Sequence, residues 1–136
     1  MVAMLIASIL LAIAIPSYNG SVRKARRTDA RSALLDLAGR EERYLSVAPA
    51  YSSAAADLGY ASGLAAGGPW SIGNGYYTVS VATASGPPPT FTLTASAAGS
   101  QAKDTACTTM TVDQLGQHKS FDNNNVDTST VCWDGN

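Results

Sequence analysis

The chain has 136 residues, of which 14% are charged and 46% hydrophobic, and its formal net charge is −1. That length holds one domain, the apolar content excludes a disordered chain, and the net charge gives no overall pull toward nucleic acid or an anionic membrane. One histidine and two cysteines are too few for most zinc sites or a histidine-rich metal cage.

Residues 1–15 read MVAMLIASILLAIAI, with Ser8 the only polar side chain, and the first charge in the chain is Arg23. A helix apolar on every side has no face to turn to water, so it is not the surface helix of a soluble domain. Fifteen helical residues span about 22 Å, short of the ~30 Å hydrocarbon core of a bilayer, and about five more would complete a span. A signal peptide would need its basic stretch before the apolar run, and here the basic residues come after it. A buried core helix fits the length, but a domain of this size rarely surrounds one. A membrane-spanning or protein-packed helix whose first residues precede Met1 agrees with both the composition and the charge order. Pro16 either kinks that helix by removing a backbone hydrogen bond and crowding the carbonyl of Ala12, or starts a new helix as its first residue. Asn19-Gly20 is a second weak point.

From Ser21 to about Leu45, apolar residues recur at Ala30, Ala33, Leu34, Leu37, Ala38, Tyr44 and Leu45, which is helical spacing. Asp36 and Arg40 form a favourable pair one turn apart. Pro49 is the expected helix stop. Arg23, Lys24, Arg26, Arg27, Arg31, Arg40 and Arg43 are seven of the nine basic residues and leave this helix at +3; the residues beyond Arg43 carry Lys103 and Lys119 against six aspartates, a net −4. The cluster of Arg23, Lys24, Arg26 and Arg27, just past an apolar anchor, reads as contact with lipid headgroups or with acidic surfaces of neighbouring subunits, against the alternative of a solvated helix face.

Ser52 to Leu58 predicts a short helical turn closed by Gly59, and residues 61–75 a glycine-rich connection. Gly73-Asn74-Gly75 precedes a strand rather than following one, so it reads as a turn and not as a dinucleotide-binding loop. Tyr77, Val79 and Val81 alternate with polar or small residues, as do Phe91, Leu93 and Ala95, across a stiff Gly86-Pro87-Pro88-Pro89 loop. A third run places Thr108, Met110 and Val112 on one face, Asp113 to Gly116 turns the chain, and a fourth strand follows near His118 to Phe121. The expected fold is α+β: one long helix, apolar then amphipathic, packed on a roughly four-stranded antiparallel sheet whose apolar face it covers.

Cys107 and Cys132 are an even pair in a chain with an export-type start, which favours a structural disulfide in an oxidising compartment. Catalytic chemistry is not expected. His118, the single histidine, lies in a turn-rich polar stretch with no nucleophile motif near it, and the acids beyond the helix are scattered. Asp122-Asn123-Asn124-Asn125 lacks the glycine and closing glutamate of a calcium loop. No enzyme activity, metal or cofactor is expected.

The order of parts resembles the type IV pilins of Gram-negative bacteria. The residues that carry the resemblance are Ala12-Ile13-Ala14-Ile15-Pro16-Ser17-Tyr18, the basic start Val22-Arg23-Lys24-Ala25-Arg26-Arg27, and the closing segment from Cys107 to Cys132-Trp133. Arg40-Glu41-Glu42-Arg43-Tyr44, Ala50-Tyr51-Ser52, Leu58-Gly59-Tyr60 and Gly75-Tyr76-Tyr77-Thr78-Val79 are similar to the small minor-pilin branch. The resemblance implies an apolar segment over 1–22 and a head over 23–136 that includes the amphipathic half of the helix. It places Pro16 and Gly20 at a site of helix melting during assembly. It also implies that the family's cleavage site, methylated first residue and nearby glutamate lie upstream of Met1. Small residues at Ala3, Ala7, Ser8, Ala12 and Ala14 permit close helix approach, with Leu5, Ile6, Leu10, Leu11 and Ile13 packing beside them in a filament core.

The function implied is a structural subunit of a type IV pilus used for adhesion, twitching motility or DNA uptake. The subunit would sit in the inner membrane before assembly and in an extracellular filament afterwards, its partners being other pilin subunits and the assembly machinery. Two alternatives are a competence DNA-receptor minor pilin, disfavoured by the two lysines and net −4 of the residues beyond Arg43, and a type II secretion pseudopilin, disfavoured by the cysteine-bounded loop. A plain membrane-anchored periplasmic domain is a further alternative.

Overall fold

One helix, α1 (Val2–Leu45), carries both the apolar block and the charged stretch. The computed structural model describes residues 2–61 and 64–134; Met1 of the apolar block and Ser62-Gly63 of the glycine-rich connection lie outside the described residues. From Val2 to Ser21 every side chain of α1 is exposed, because the head packs only on its second half. There the helix buries Ala30, Leu34, Leu37 and Glu41, one residue per turn along a single stripe. Pro16 and Gly20 both lie within α1, which is helical on either side of them.

The helix stops at Leu45, where the helical spacing of apolar residues ends, four residues ahead of Pro49. Its last carbonyls are used by a tightened turn: Ser46 Oγ donates to Arg43 O at 2.6 Å, and Ala48 N donates to Tyr44 O at 3.0 Å. The backbone ahead of a proline is biased away from helical geometry, which moves the end upstream of the ring itself. The turn expected before Gly59 is present, although it forms no full helix. Tyr60 N donates to Ala55 O at 2.8 Å and Gly59 N to Ala56 O at 3.1 Å, the bond pattern of a helix terminus, with Gly59 at φ +77.

The sheet has five strands rather than four: β1 (Trp70–Ile72), β2 (Tyr77–Ala84), β3 (Thr90–Ala97), β4 (Thr109–Asp113) and β5 (His118–Phe121). They form an antiparallel meander in chain order. β1 is the strand missing from the sequence reading, since three residues are too few to show alternation. It is held by Trp70, whose indole is buried, pairs opposite Val79 and donates from Nε1 to Ala65 O at 2.7 Å. The approach to β1 requires glycine at Gly68, where φ is +85 and a Cβ would stand 2.5 Å from Val79 O.

Opposite pairs such as Val79–Ala95, Val81–Leu93, Leu93–Val112 and Ala95–Met110 build one apolar face. This face and Phe91 pack against Ala30, Leu34 and Leu37 of α1. Burying each of the larger aliphatic side chains contributes about 1.5–3 kcal/mol. The closing segment folds back on the sheet through the Cys107–Cys132 disulfide, both cysteines being fully buried. Cys132 lies in a one-turn helix, α2 (Ser129–Cys132). The next residue, Trp133, donates from Nε1 to Lys119 O of β5 at 2.8 Å.

Candidate functional site at the junction of stem and head

The apolar stretch from Val2 to Val22 rises ~1.5 Å per residue and so measures about 30 Å, the thickness of a bilayer's hydrocarbon core. Within α1, none of the most apolar 18-residue window is buried, and the helix is long and apolar enough to cross a membrane. Ala3, Leu5, Ile6, Ala7, Ser8, Leu10, Leu11, Ala12, Ile13 and Ala14 all lie on this bare segment. Ser8 uses its hydroxyl hydrogen within the helix by donating to Leu5 O at 2.8 Å, so it presents no free donor.

Where the bare segment meets the head, a 3₁₀ turn (Gly99–Lys103) between β3 and β4 presses against the helix. Its central residue, Gln101, is fully buried, and its amide nitrogen reaches Asp104 Oδ2 at 3.0 Å, Tyr77 Oη at 3.2 Å and Arg23 O at 3.3 Å. Arg27 grips Asp104 in a two-pronged ion pair, Nε to Oδ2 and Nη2 to Oδ1, both at 2.6 Å. The hydrogen bond to Asp104 raises the guanidinium pKa further above its ordinary value, while burial raises that of the Tyr77 phenol. Gln101 and Asp104 were not legible as site residues: an amide and an acid in a polar stretch give no periodic signal.

The four cations of the basic cluster therefore differ in role. Arg27 is internal to the head, locked to Asp104. Arg26 lies over the Tyr76 ring, 3.5 Å from its centroid, and donates to Ser100 Oγ at 3.0 Å. Lys24 points to solvent. Arg23 and Arg26, with Lys103 and Ser100 of the 3₁₀ turn, line a cleft of about 310 Å³. Its lower wall is Tyr18, Asn19 and Val22 on the last turns of the bare segment.

Four further polar features lie away from this junction. His118 is exposed and stacks on Trp133, centroids 4.6 Å apart, while Arg31 Nη1 donates to Trp133 O at 2.6 Å. The expected Asp36–Arg40 pair is formed at 2.8 Å, and Arg40 also donates to Leu58 O at 2.8 Å, tying the helix to the turn at Gly59. Asp122, the first residue of the weighed calcium loop, instead uses Oδ1 to accept from the backbone of Asn124 and Val126, both at 2.8 Å. Near the top of the helix, Glu41 is buried with Oε2 accepting from Ser52 N at 3.1 Å and Oε1 without a partner. Burial pushes its carboxyl up to about 7.

A sequence model of the family described as type IV minor pilin ComP, DNA uptake sequence receptor, matches residues 16–111. The match runs from Pro16 at the start of the stem through the Arg27–Asp104 junction to β4. No curated protein matches the chain.

Proposed function

The chain belongs to the family of the type IV minor pilin ComP, DNA uptake sequence receptor, and on that premise we propose that it is held in the inner membrane by α1 and then enters a pilus that takes up DNA. The observation that carries this reading is the bare apolar half of α1, about 30 Å of helix with no partner among the described residues of its own chain. Such a segment leaves lipid only if neighbouring helices replace the lipid contacts. Ala3, Ala7, Ser8, Ala12 and Ala14 support that exchange by letting backbones approach closely. A head-to-tail contact of one kind, repeated, generates an open helical polymer. Pro16 and Gly20 serve as the soft point at which the helix adjusts its packing. The test is expression of the natural precursor and immunoblotting of sheared pili. The chain is expected in the sheared fraction at a small ratio to the major subunit; finding it only in the inner membrane refutes filament entry.

The family description also supports DNA contact by the head. The net −4 beyond Arg43 argues against broad electrostatic attraction, so contact depends on local cations. Arg31 lines the hollow at the His118–Trp133 stack, and Lys119, exposed on β5, projects from the other face of that strand; these two cations are the contacts proposed. The measurement is a gel shift with the full chain in detergent at about 50 and about 200 mM salt, each phosphate contact contributing a slope of ~−0.9 in log K against log salt. Binding that weakens with salt and falls further in Lys119→Ala supports the reading. Absence of any shift at the lower salt refutes it.

A further inference from the structure

The cleft at the junction has a chemistry distinct from the rest of the surface. Arg23, Arg26 and Lys103 converge on it, and its lining contains no carboxylate. Arg23 and Lys103 take part in no salt bridge among the described residues, whereas Arg27, one turn from Arg23, is neutralised by Asp104. Ser100 Oγ and the Asn19 side chain add neutral polar groups at its edge. The cleft opens where the ~30 Å apolar span ends, so in a membrane it faces the headgroup layer. Tyr18, 71% exposed, lies in its lower wall at the depth where aromatic rings with a polar tip collect.

We infer that this cleft binds the phosphate of an anionic phospholipid headgroup. The inference rests on the membrane-anchored reading given above and names a ligand for it. Lys103 supplies a compact point charge and Arg23 a planar guanidinium suited to phosphate oxygens, while the Arg26–Ser100 hydrogen bond keeps the far wall in place. Tyr18 and Val22 lie beside the glycerol and the first methylenes. Lipid is favoured over a nucleic-acid backbone because one wall of the cleft is the apolar helix itself, which would hold a duplex against the membrane surface. A headgroup clamp at this point sets how deep the stem sits and must be released when the subunit leaves the bilayer.

The experiment uses the full chain in detergent micelles doped with equal amounts of phosphatidylglycerol and phosphatidylcholine of the same acyl chains. Native mass spectrometry counts the lipids retained per chain. The wild type is expected to retain phosphatidylglycerol about tenfold over phosphatidylcholine, in keeping with the attraction of juxtamembrane cations for anionic lipid. The double variant Arg23→Gln, Lys103→Gln is expected to lose that preference, and Arg43→Gln, at the far end of the helix, to keep it. Fluorescence of Trp70 and Trp133, both buried in the head, confirms that each variant is folded.

Equal retention of the two lipids by the wild type overturns the inference, as does a preference that survives in the folded double variant. Displacement of phosphatidylglycerol by inorganic phosphate alone overturns it in favour of a generic anion site. Displacement by a DNA duplex that the double variant fails to bind overturns it in favour of nucleic acid. Lipid retained without headgroup preference rejects the cleft and leaves the anchor standing, whereas a chain that associates with neither micelles nor vesicles rejects the anchor and the cleft together.

Discussion

Glu41→Gln isolates a buried acid that, unlike Asp104, has no counter-charge among the described residues. Glu41 occupies the fourth turn of the stripe begun by Ala30, Leu34 and Leu37 and is 0% exposed. A single hydrogen bond, from Ser52 N, meets its carboxylate, and Glu42 next to it adds repulsion. Loss of hydration, reinforced by that repulsion, outweighs the hydrogen bond and raises the folded pKa from 4.5 to about 7. At 1.36 kcal/mol per pH unit, that interval corresponds to about 3 kcal/mol. Below the unfolded value both states are protonated and the acid costs nothing on this account. As pH rises from there to about 7, the unfolded chain gives up the proton while the folded chain keeps it, so folding becomes progressively less favourable.

Gln keeps an acceptor for Ser52 N and has no charge to lose. The stability of Glu41→Gln relative to wild type should therefore climb by about 3 kcal/mol between about pH 4.5 and about pH 8. Every other titrating group cancels in that difference if it does not touch Glu41. Urea denaturation of the full chain in detergent, followed by the fluorescence of Trp70 and Trp133, measures it. A difference that stays constant across the range refutes the reasoning, because the carboxylate would then have found water or a counter-charge when ionised.

Asp104→Asn should destabilise the head by about 3 kcal/mol, since it leaves the Arg27 guanidinium half-buried without its carboxylate; replacing Arg27 and Asp104 together with leucine should recover part of that loss in the same denaturation series. Gly68→Ala should cost about 3 kcal/mol, from left-handed strain of ~1–2 kcal/mol and the clash with Val79 O, with amide exchange accelerating first in β1; unchanged exchange there refutes the close approach. Replacing Cys107 and Cys132 with serine should lower stability by about 3.5 kcal/mol, the entropy of closing a loop of that length in the unfolded chain, and reductant, which shifts the wild-type transition, should leave that of the variant where it is.

Much of this fold was legible because it is built on two clean periods. The stripe at Ala30, Leu34 and Leu37 announces a helix face, and Tyr77, Val79, Val81 and Phe91, Leu93, Ala95 announce two strands, since these side chains are the ones that leave water. What stayed hidden lacks a period. β1 is three residues long and rests on one tryptophan and on the conformation of Gly68. Glu41 enters the +3 of α1 like any other charge, although it lies in register with the apolar stripe, at positions spaced four, three and four apart. The junction was hidden for a different reason: the bonds of Arg27 and Gln101 span 77 and 78 residues of chain, a separation that no local pattern encodes.

The same contacts change what the net charge of −1 means. Of the six aspartates beyond Arg43, Asp104 is cancelled by Arg27. Asp113, Asp122 and Asp127 each accept two hydrogen bonds on Oδ1 from donors within four residues, so they serve as turn-makers. Asp127 is held below its usual pKa by the Ser129 hydroxyl and backbone, and so keeps its charge close to the chain that uses it. The cations without such employment, Arg23, Lys24 and Lys103, gather at one end of the head beside the bare helix. At physiological ionic strength a charge is felt over about 8 Å, so an anion approaching that end meets these three and little of the distant acid. A nearly neutral chain thus carries a positive collar where the apolar span stops, and the acid that balances it is spent on turns elsewhere in the head.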